Sequence, residues 1–221
     1  MRRRPEPELM DSEAQTLAYA EADFNEANTL FADNFQRRFP ELPATGHMAD
    51  LGCGPGDIAI RMAHAFQGWQ ITGIDAGENM LKRASERLAT ECLDERVRFR
   101  LAYLPDPSLA AESWDAVISN SLLHHLPDPQ VLWASIKTIG TSGAAVQVMD
   151  LMRPESESAA QALVDRYAEG APEILREDFY NSLLAAYTTT EVSDQLLRAG
   201  LDRLRIESVS DRHWIVSGIL R

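Results

Sequence analysis

The segment Met48-Ala-Asp-Leu-Gly-Cys-Gly-Pro-Gly-Asp57 limits more than any other what this chain can fold into. A short apolar run leads into glycines at 52, 54 and 56, and a helix-length amphipathic run follows. Glycines there allow positive φ and let backbone approach a ligand with no Cβ in the way. A helix opening just beyond them presents its partly positive N-terminal end to whatever sits at the turn. Asp75 closes the next apolar run, 19 residues after Gly56 (75 − 56). At the end of a strand, a carboxylate so placed can accept both hydroxyls of a ribose. Strand, glycine turn, helix, strand and terminal acid in that order predict a ligand-binding βαβ unit.

The rest of the chain continues the alternation. Strands are expected at His47–Gly52, Gln70–Asp75, Val97–Leu101, Trp114–Asn120 and Ala144–Leu151, with helices over Asp57–Phe66, Glu78–Cys92 and Pro129–Ile139. Strands alternating with helices imply right-handed crossovers and a mostly parallel sheet covered on both faces. Residues 11–39 read as one helical stretch, carrying Leu17, Phe24, Phe31 and Phe35 among acids and amides and closed by Pro40 and Pro43. After Asp150 the pattern changes to two amphipathic helical stretches over 155–187, broken at Gly170-Ala-Pro172. A third helix opens at Thr188-Thr-Thr-Glu191, a capping-box spacing, and stops at Gly200. Two final strands, Leu204–Val209 and His213–Ile219, lie too close together to pair parallel, so the sheet ends on an antiparallel strand. The organisation is one domain over 1–221. It comprises a helical segment (1–45), a core (47–151), a helical insertion (152–187) and a final helix with its hairpin (188–221).

Composition narrows the function classes. The 221 residues are 45% hydrophobic and 25% charged, which is globular. With 21 Lys+Arg against 34 Asp+Glu, the formal charge of −13 repels phosphate backbones, so nucleic acid and anionic membranes are poor partners. No stretch approaches the ~20 apolar residues of a membrane span, and the start is not a signal peptide; Arg2 to Arg4 read as a frayed end. The two cysteines, Cys53 and Cys92, build no disulfide framework, which fits a reducing, cytoplasmic location. Scattered histidines and distant cysteines give no metal-ligand spacing, and no metal is expected.

Dinucleotide and S-adenosylmethionine sites both use the glycine-turn layout. The dinucleotide fingerprint spaces its glycines G-x-G-x-x-G near a pyrophosphate. Here the spacing is Gly52-x-Gly54-x-Gly56, and Asp57 would face a pyrophosphate badly. Asp50 adds a second carboxylate before the turn, and two acids at the mouth suit a cationic sulfonium and amino group better.

On these residues the chain resembles the class I (Rossmann-like) S-adenosylmethionine-dependent methyltransferases. Asp50-Leu-Gly-Cys-Gly-Pro-Gly56 is similar to that family's first motif. Gly73-Ile-Asp75, with Glu78-Asn-Met80-Leu81 and Ala84, is similar to its second, and Trp114 through Asp128 to its fourth. The resemblance covers roughly residues 47–151 and 188–221. It implies a seven-stranded sheet with an antiparallel last strand, a helical N-terminal lid and a substrate-facing insertion. It also implies methyl transfer from S-adenosylmethionine to a small-molecule acceptor, leaving S-adenosylhomocysteine. By the same resemblance Asp50, Gly52, Cys53, Gly54 and Gly56 lie against the methionine and ribose. Asp75 would bind the ribose, Ala76 and Met80 the adenine, and Asn120 and Ser121 the methionine end. Family members often carry an acid after the third strand to read the adenine amino group. This chain has Arg100-Leu-Ala-Tyr-Leu-Pro-Asp106, so Asp106, Tyr103 or backbone amides would have to serve.

His124 and His125 end the fourth strand, where open α/β sheets bind ligands, and a neutral imidazole there can take a proton from an acceptor. His124 is the catalytic candidate and His125 a substrate contact. Tyr19 and Phe24 of the lid, and Arg153 and Tyr180 of the insertion, are further substrate candidates. Asp211-Arg-His213-Trp214 reads as a solvated turn with an incidental histidine. Other functions remain open: methylation of a macromolecule (tRNA or protein), S-adenosylmethionine binding without methylation and, a distant third, a nicotinamide enzyme. The protein is expected to be a monomer or homodimer.

Overall fold

The computed structural model describes residues 1–6 and 11–221. A seven-stranded sheet forms its centre: β1 (Gly46–Leu51), β2 (Trp69–Asp75), β3 (Val97–Leu101), β4 (Trp114–Asn120), β5 (Gly140–Leu151), β6 (Arg205–Ser208) and β7 (His213–Ile219), in the order β3-β2-β1-β4-β5-β7-β6. The first five pair in parallel, and β7 runs antiparallel to both β5 and β6. The helices among the described residues are α1 (Glu13–Glu21), α2 (Asn25–Arg38), α3 (Asp57–Ala65), α4 (Glu78–Leu88), α5 (Gln130–Ile139), α6 (Glu157–Tyr167), α7 (Glu173–Ala185) and α8 (Thr189–Ala199).

The strand period of two sorts each strand's side chains into two cores. Ala49, Val117, Val146 and Val216 face a core closed by Trp133 and Ile136 of α5 and by Val192 and Leu196 of α8. Their neighbours Met48, Ala116, Ala145 and Ile215 face the opposite core, closed by Phe31 and Phe35 of α2 and Ile58 and Met62 of α3. A third, smaller cluster joins Leu151 to α6 and α7 through Ala160, Val164 and Leu183. The strand order reverses between β1 and β4, and a cleft opens there beyond the carboxyl ends of the strands.

Most boundaries follow the sequence reading, and the departures have local causes. The expected helix over 11–39 is two: Asp23 Oδ1 takes the Asn25 N–H at 2.9 Å, a bond a continuous helix would have made internally. The helix expected to reach Cys92 stops at Leu88, where Thr90 Oγ1 donates to the Arg87 carbonyl at 2.8 Å and Cys92 turns left-handed (φ 55°). β5 begins four residues early, at Gly140, because an irregularity in its pairing with β4 absorbs the extra length. Thr188 forms the expected capping box with Glu191, and Gly200 closes α8 at φ 67°.

Arg2 to Arg4 are not a frayed end. Arg3 Nε donates to the Ala185 carbonyl at 2.5 Å and Nη2 to the His124 carbonyl at 2.8 Å, with its guanidinium 4.1 Å from the Tyr187 ring centroid. The Arg4 amide donates to the Leu184 carbonyl at 3.0 Å. Carbonyls in the last turn of α7, which have no partner within the helix, supply what the sequence could not reveal, a docking line for the first residues.

Candidate functional site

The glycine turn follows β1 and is locked to the strand beside it. The Gly54 N–H donates to Asp75 Oδ2 and the Gly77 N–H to Asp75 Oδ1, each at 2.8 Å. The carboxylate at the end of β2 is thereby fixed in orientation while its remaining lone pairs stay available to a ligand. Gly54 stands at φ +51° with open space where a Cβ would be, so that face of the turn is bare backbone.

A narrow slot of about 140 Å³ lies against this turn. Of the ten residues expected around a cofactor, Asp50, Gly52, Cys53, Gly54, Asp75, Ala76, Met80, Asn120 and Ser121 line it. Gly56 does not; at φ +82° its Cβ would lie 2.7 Å from Phe99 Cζ and 3.1 Å from Ala84 Cβ, so its smallness lets α3, α4 and β3 pack. Ala102, Tyr103 and Leu104 close the far end. Asp106 is absent from the lining because it caps a short 3₁₀ turn, accepting from Ser108 N at 2.9 Å and pairing with Arg100 at 3.3 Å.

The slot is electrostatically one-sided. Asp50, Asp57 and Asp75 line it, and no described lining residue is Lys or Arg. Asp50 is 1% exposed, and neither of its carboxylate oxygens finds a hydrogen-bond donor among the described residues. Burial, then the charge of Asp75, pushes its pKa up to about 8. Burial also raises Asp75, against the opposing pull of the Gly77 and Gly54 N–H groups. The Cys53 thiol is pushed up by burial and by both carboxylates, which keeps it neutral and unreactive. The Asn120 Oδ1 is likewise buried without a donor among the described residues.

A second cavity of about 510 Å³ adjoins the slot. Tyr19, Phe24, Asn28, Asn120, Ser121 and His125 line both. The rings of Tyr19 and Phe24 sit 4.5 Å apart, and burial raises the phenol of Tyr19. The outer wall comes from the insertion, through Tyr167, Leu175, Asp178 and Phe179, and from Arg212 and His213. That last pair is a correction: the hairpin cluster is not a solvated turn. Arg212 is 7% and His213 5% exposed, the guanidinium lies 3.4 Å from the Tyr167 ring centroid, and burial drives the His213 pKa down to about 4.

Two substrate candidates do not reach this cavity. Arg153 is spent on structure, donating to the Ala186 carbonyl at 3.1 Å and pairing with Glu191 at 2.8 Å. Tyr180 packs against the small core of α6 and α7.

His124 is 2% exposed and lines only the second cavity. Its Nδ1 lies 2.5 Å from Asp150 Oδ1, while its backbone N–H donates to Asp150 Oδ2 at 3.2 Å. Glu6 Oε1 stands 3.4 Å from His124 Nε2 and 3.3 Å from His125 Nδ1. Burial lowers the His124 pKa, but Asp150 and Glu6 outweigh it and the net shift is upward. Burial likewise raises Asp150, and the imidazole reverses it to a net lowering. Glu6, His124 and His125 bring three atoms of metal-ligand type within 4.8 Å of one another, a grouping the sequence hides. Glu6 stands 118 positions from His124 (124 − 6), and its one local signal is the flanking pair Pro5 and Pro7, which favours extended chain. Asp150 was legible only as an acid ending a strand, as Asp75 ends β2.

Comparison with known proteins agrees with this geometry. Residues 49–146 match a family model described as a methyltransferase domain. That match, together with the relatives and the shared fold below, supports a class I S-adenosylmethionine-dependent methyltransferase. Among curated methyltransferases it is 29% identical to 27-O-demethylrifamycin SV methyltransferase of Amycolatopsis mediterranei, over 86% of this chain and 65% of that one. It is 28% identical to the ubiquinone biosynthesis O-methyltransferase of Psychrobacter arcticus, over 77% of this chain and 66% of that one. The chain spans only about two thirds of the length of these two relatives. The fold is shared with the plantazolicin methyltransferase BpumL, solved in complex with SAH, at a TM-score of 0.71 and 14% identity, covering 94% of this chain and 90% of that one. The matched stretch runs from β1 and its glycine turn through β2, β3, β4 and α5 into β5, and α1, α6 and α7 lie outside it.

Proposed function

We propose that this chain transfers the methyl group of S-adenosylmethionine to a small organic acceptor. The observation that carries the reading is the pairing of two adjoining cavities, one lined by carboxylates and bare backbone, the other larger and partly aromatic. The residues of the slot fit the cofactor. Asp50, buried and held toward its neutral form, can ionise only beside a cationic group, since an unpaired buried charge costs several kcal/mol, and it therefore suits a cationic ligand. Asp75 offers a pre-oriented acceptor pair for two hydroxyls, and Met80, Ala76 and Ala102 offer apolar surface to an aromatic base. A pyrophosphate would meet three carboxylates and, among the described lining residues, no Lys or Arg. When bound, S-adenosylmethionine supplies a methyl group made electrophilic by its sulfonium. The chain's own residues then align the acceptor. Tyr19, Phe24, Asn28, Asn120, Ser121 and His125 stand where the two cavities meet, and in-line geometry held there accounts for most of the rate such an enzyme needs.

A cavity of about 510 Å³ has the capacity of a small-molecule site, within the usual ~300–1,000 Å³. The relatives' names point to small acceptors as well: a rifamycin precursor and a ubiquinone precursor. Methylation of tRNA is disfavoured because many arginines are committed to acids, among them Arg38 to Glu207, Arg98 to Glu112 and Arg176 to Asp165. A non-methylating role is disfavoured because none of the large apolar side chains exposed among the described residues lies on α6 or α7. No helix among the described residues is long and apolar enough to cross a membrane. We place the protein in the cytoplasm as a monomer or homodimer. Incubation with methyl-labelled S-adenosylmethionine and size-fractionated host extract tests the reading. Label in the small-molecule fraction is expected, and label in RNA or protein overturns the acceptor class.

A further inference from the structure

Glu6 belongs to no strand or helix, yet its carboxylate sits between both histidines at the acceptor cavity. Its side chain is 8% exposed, and Ser182 Oγ donates to its Oε1 at 3.1 Å. The segment that carries it is tied down on both sides. Arg3 and Arg4 bond to carbonyls of residues 124, 184 and 185, and further on Asp11 Oδ1 accepts the Asn79 N–H at 2.9 Å at the start of α4. A carboxylate buried this deeply is retained against its desolvation cost only where partners repay it. Among the described residues the partners here are two imidazoles and the Ser182 hydroxyl.

The two histidines are not equivalent. His124 is engaged on Nδ1 by Asp150 and faces Glu6 with Nε2, so both ring nitrogens already have acidic neighbours. His125 lines both cavities, at their junction, and its Nδ1 stands 3.3 Å from Glu6 Oε1, an ion-pair distance rather than a hydrogen bond between the two. A carboxylate on Nδ1 orients an imidazole and stabilises the imidazolium it becomes, the role such a group plays in hydrolase triads.

We propose that Glu6 is the positioning residue of the acceptor site, holding His125 as the imidazole that receives the acceptor's proton, with the His124–Asp150 pair buttressing Glu6 from behind. The proposal rests on the methyl-transfer reading above. As the acceptor atom's lone pair forms its bond to the methyl carbon, the sulfur–carbon pair stays with sulfur and the acceptor's O–H or N–H proton passes to His125. The proton leaves to solvent after product release. Among the described residues the charged or titratable groups that also face the cluster include Arg3, Asp150, Asp178 and His213.

The test is a pH titration of the full chain labelled with ¹⁵N-histidine, followed by NMR in wild type, Glu6→Gln, Glu6→Asp and Asp150→Asn. Glu6→Gln is expected to lower the His125 midpoint by about one unit, with Glu6→Asp restoring most of it. Asp150→Asn should move His124 more than His125. An unmoved His125 midpoint in Glu6→Gln overturns the proposal. Should that variant fail to fold, the wild type decides: a His125 midpoint above the ordinary value of about 6.5 supports the proposal, and one below it overturns it. With an acceptor from the labelled fraction, Glu6→Gln should lower kcat about 100-fold and shift the acidic limb of its pH profile downward by the same unit. Its Kd for S-adenosylmethionine should stay within about twofold. Unchanged kcat in that variant overturns the proposal. A wild type that methylates nothing sinks the parent reading instead, and the NMR result still decides whether Glu6 governs His125.

Discussion

The slot and the cavity beside it are built in different ways. The slot is made mostly of backbone and short side chains at the ends of β1, β2 and β4, between Asp50 and Leu126, with only Tyr19, Phe24 and Asn28 added from outside that span. The acceptor cavity is assembled from α1 and α2, the end of β4, the insertion and the last hairpin, segments spread from Tyr19 to His213. Its histidine pair is reached from further still, by Glu6. A site made of turn geometry travels as a short sequence pattern. A site made of side chains on separately docked helices leaves no pattern, because its members share only a place in space.

If that contrast is right, perturbing one half should leave the other standing. The largest effect is expected behind the acceptor cavity. Asp150→Ala leaves the buried His124 ring without its Nδ1 partner and should cost about 3–5 kcal/mol of stability in urea unfolding. A loss under about 1 kcal/mol would mean that the pair is not buried as described. Next comes Asp75→Ala, which removes the carboxylate proposed to accept two ligand hydroxyls. It should weaken S-adenosylmethionine binding about 100-fold by calorimetry. Phe179→Ala, on the acceptor wall alone, should leave that affinity within about twofold. If Phe179→Ala proved as damaging as Asp75→Ala, the two halves would not be separable.

Gly56→Ala sharpens the distinction within the glycine turn. The residue stands outside the slot at φ +82° against Phe99, so the change should destabilise the fold by about 1–3 kcal/mol. At the same time it should alter ligand contacts less than a substitution at Gly54. Asp50 gives a subtler signature. With a pKa of about 8 in the ligand-free protein it is mostly protonated at pH 7, and a cationic ligand beside it favours the ionised form. Binding at pH 7 should therefore release up to one proton, read as a calorimetric enthalpy that varies with buffer, and Asp50→Asn should abolish the release. The sign for stability follows from linkage. A folded pKa raised above the unfolded value of about 3.9 gives a contribution that is full at low pH and lost as pH rises toward 8. Ligand-free Asp50→Asn should accordingly melt higher than wild type near pH 8. The smallest effect is at Thr188, where loss of the α8 capping box by Thr188→Ala should cost about 1 kcal/mol and leave both cavities untouched.

What the sequence revealed and concealed follows the same division. Trp114–Asn120 and His213–Ile219 stand where the sequence put them because strands buried on both faces read as apolar runs, and Val97–Leu101 does so as an edge strand whose Arg98 and Arg100 alternate with apolar residues. Gly56 shows the limit of a motif, since the spacing that marks it does not say whether a glycine faces ligand or packs a helix. Arg153 and Tyr180 show the limit of location. Being in the insertion did not bring them to the cavity, because Glu191 and the small core around Leu183 had prior claim on them.

The sequence by itself determined the sheet, its glycine turn and the acid at the end of β2, since each depends on backbone preferences and hydrophobic period within about 30 residues. Only the tertiary structure decided that Glu6 meets His124 and His125, that Asp150 backs them, and that Arg212 and His213 are buried in the acceptor wall. Those contacts join residues over 100 positions apart or sited on different elements. Their energy lies in the burial and pairing of charge, which no local pattern of residues encodes.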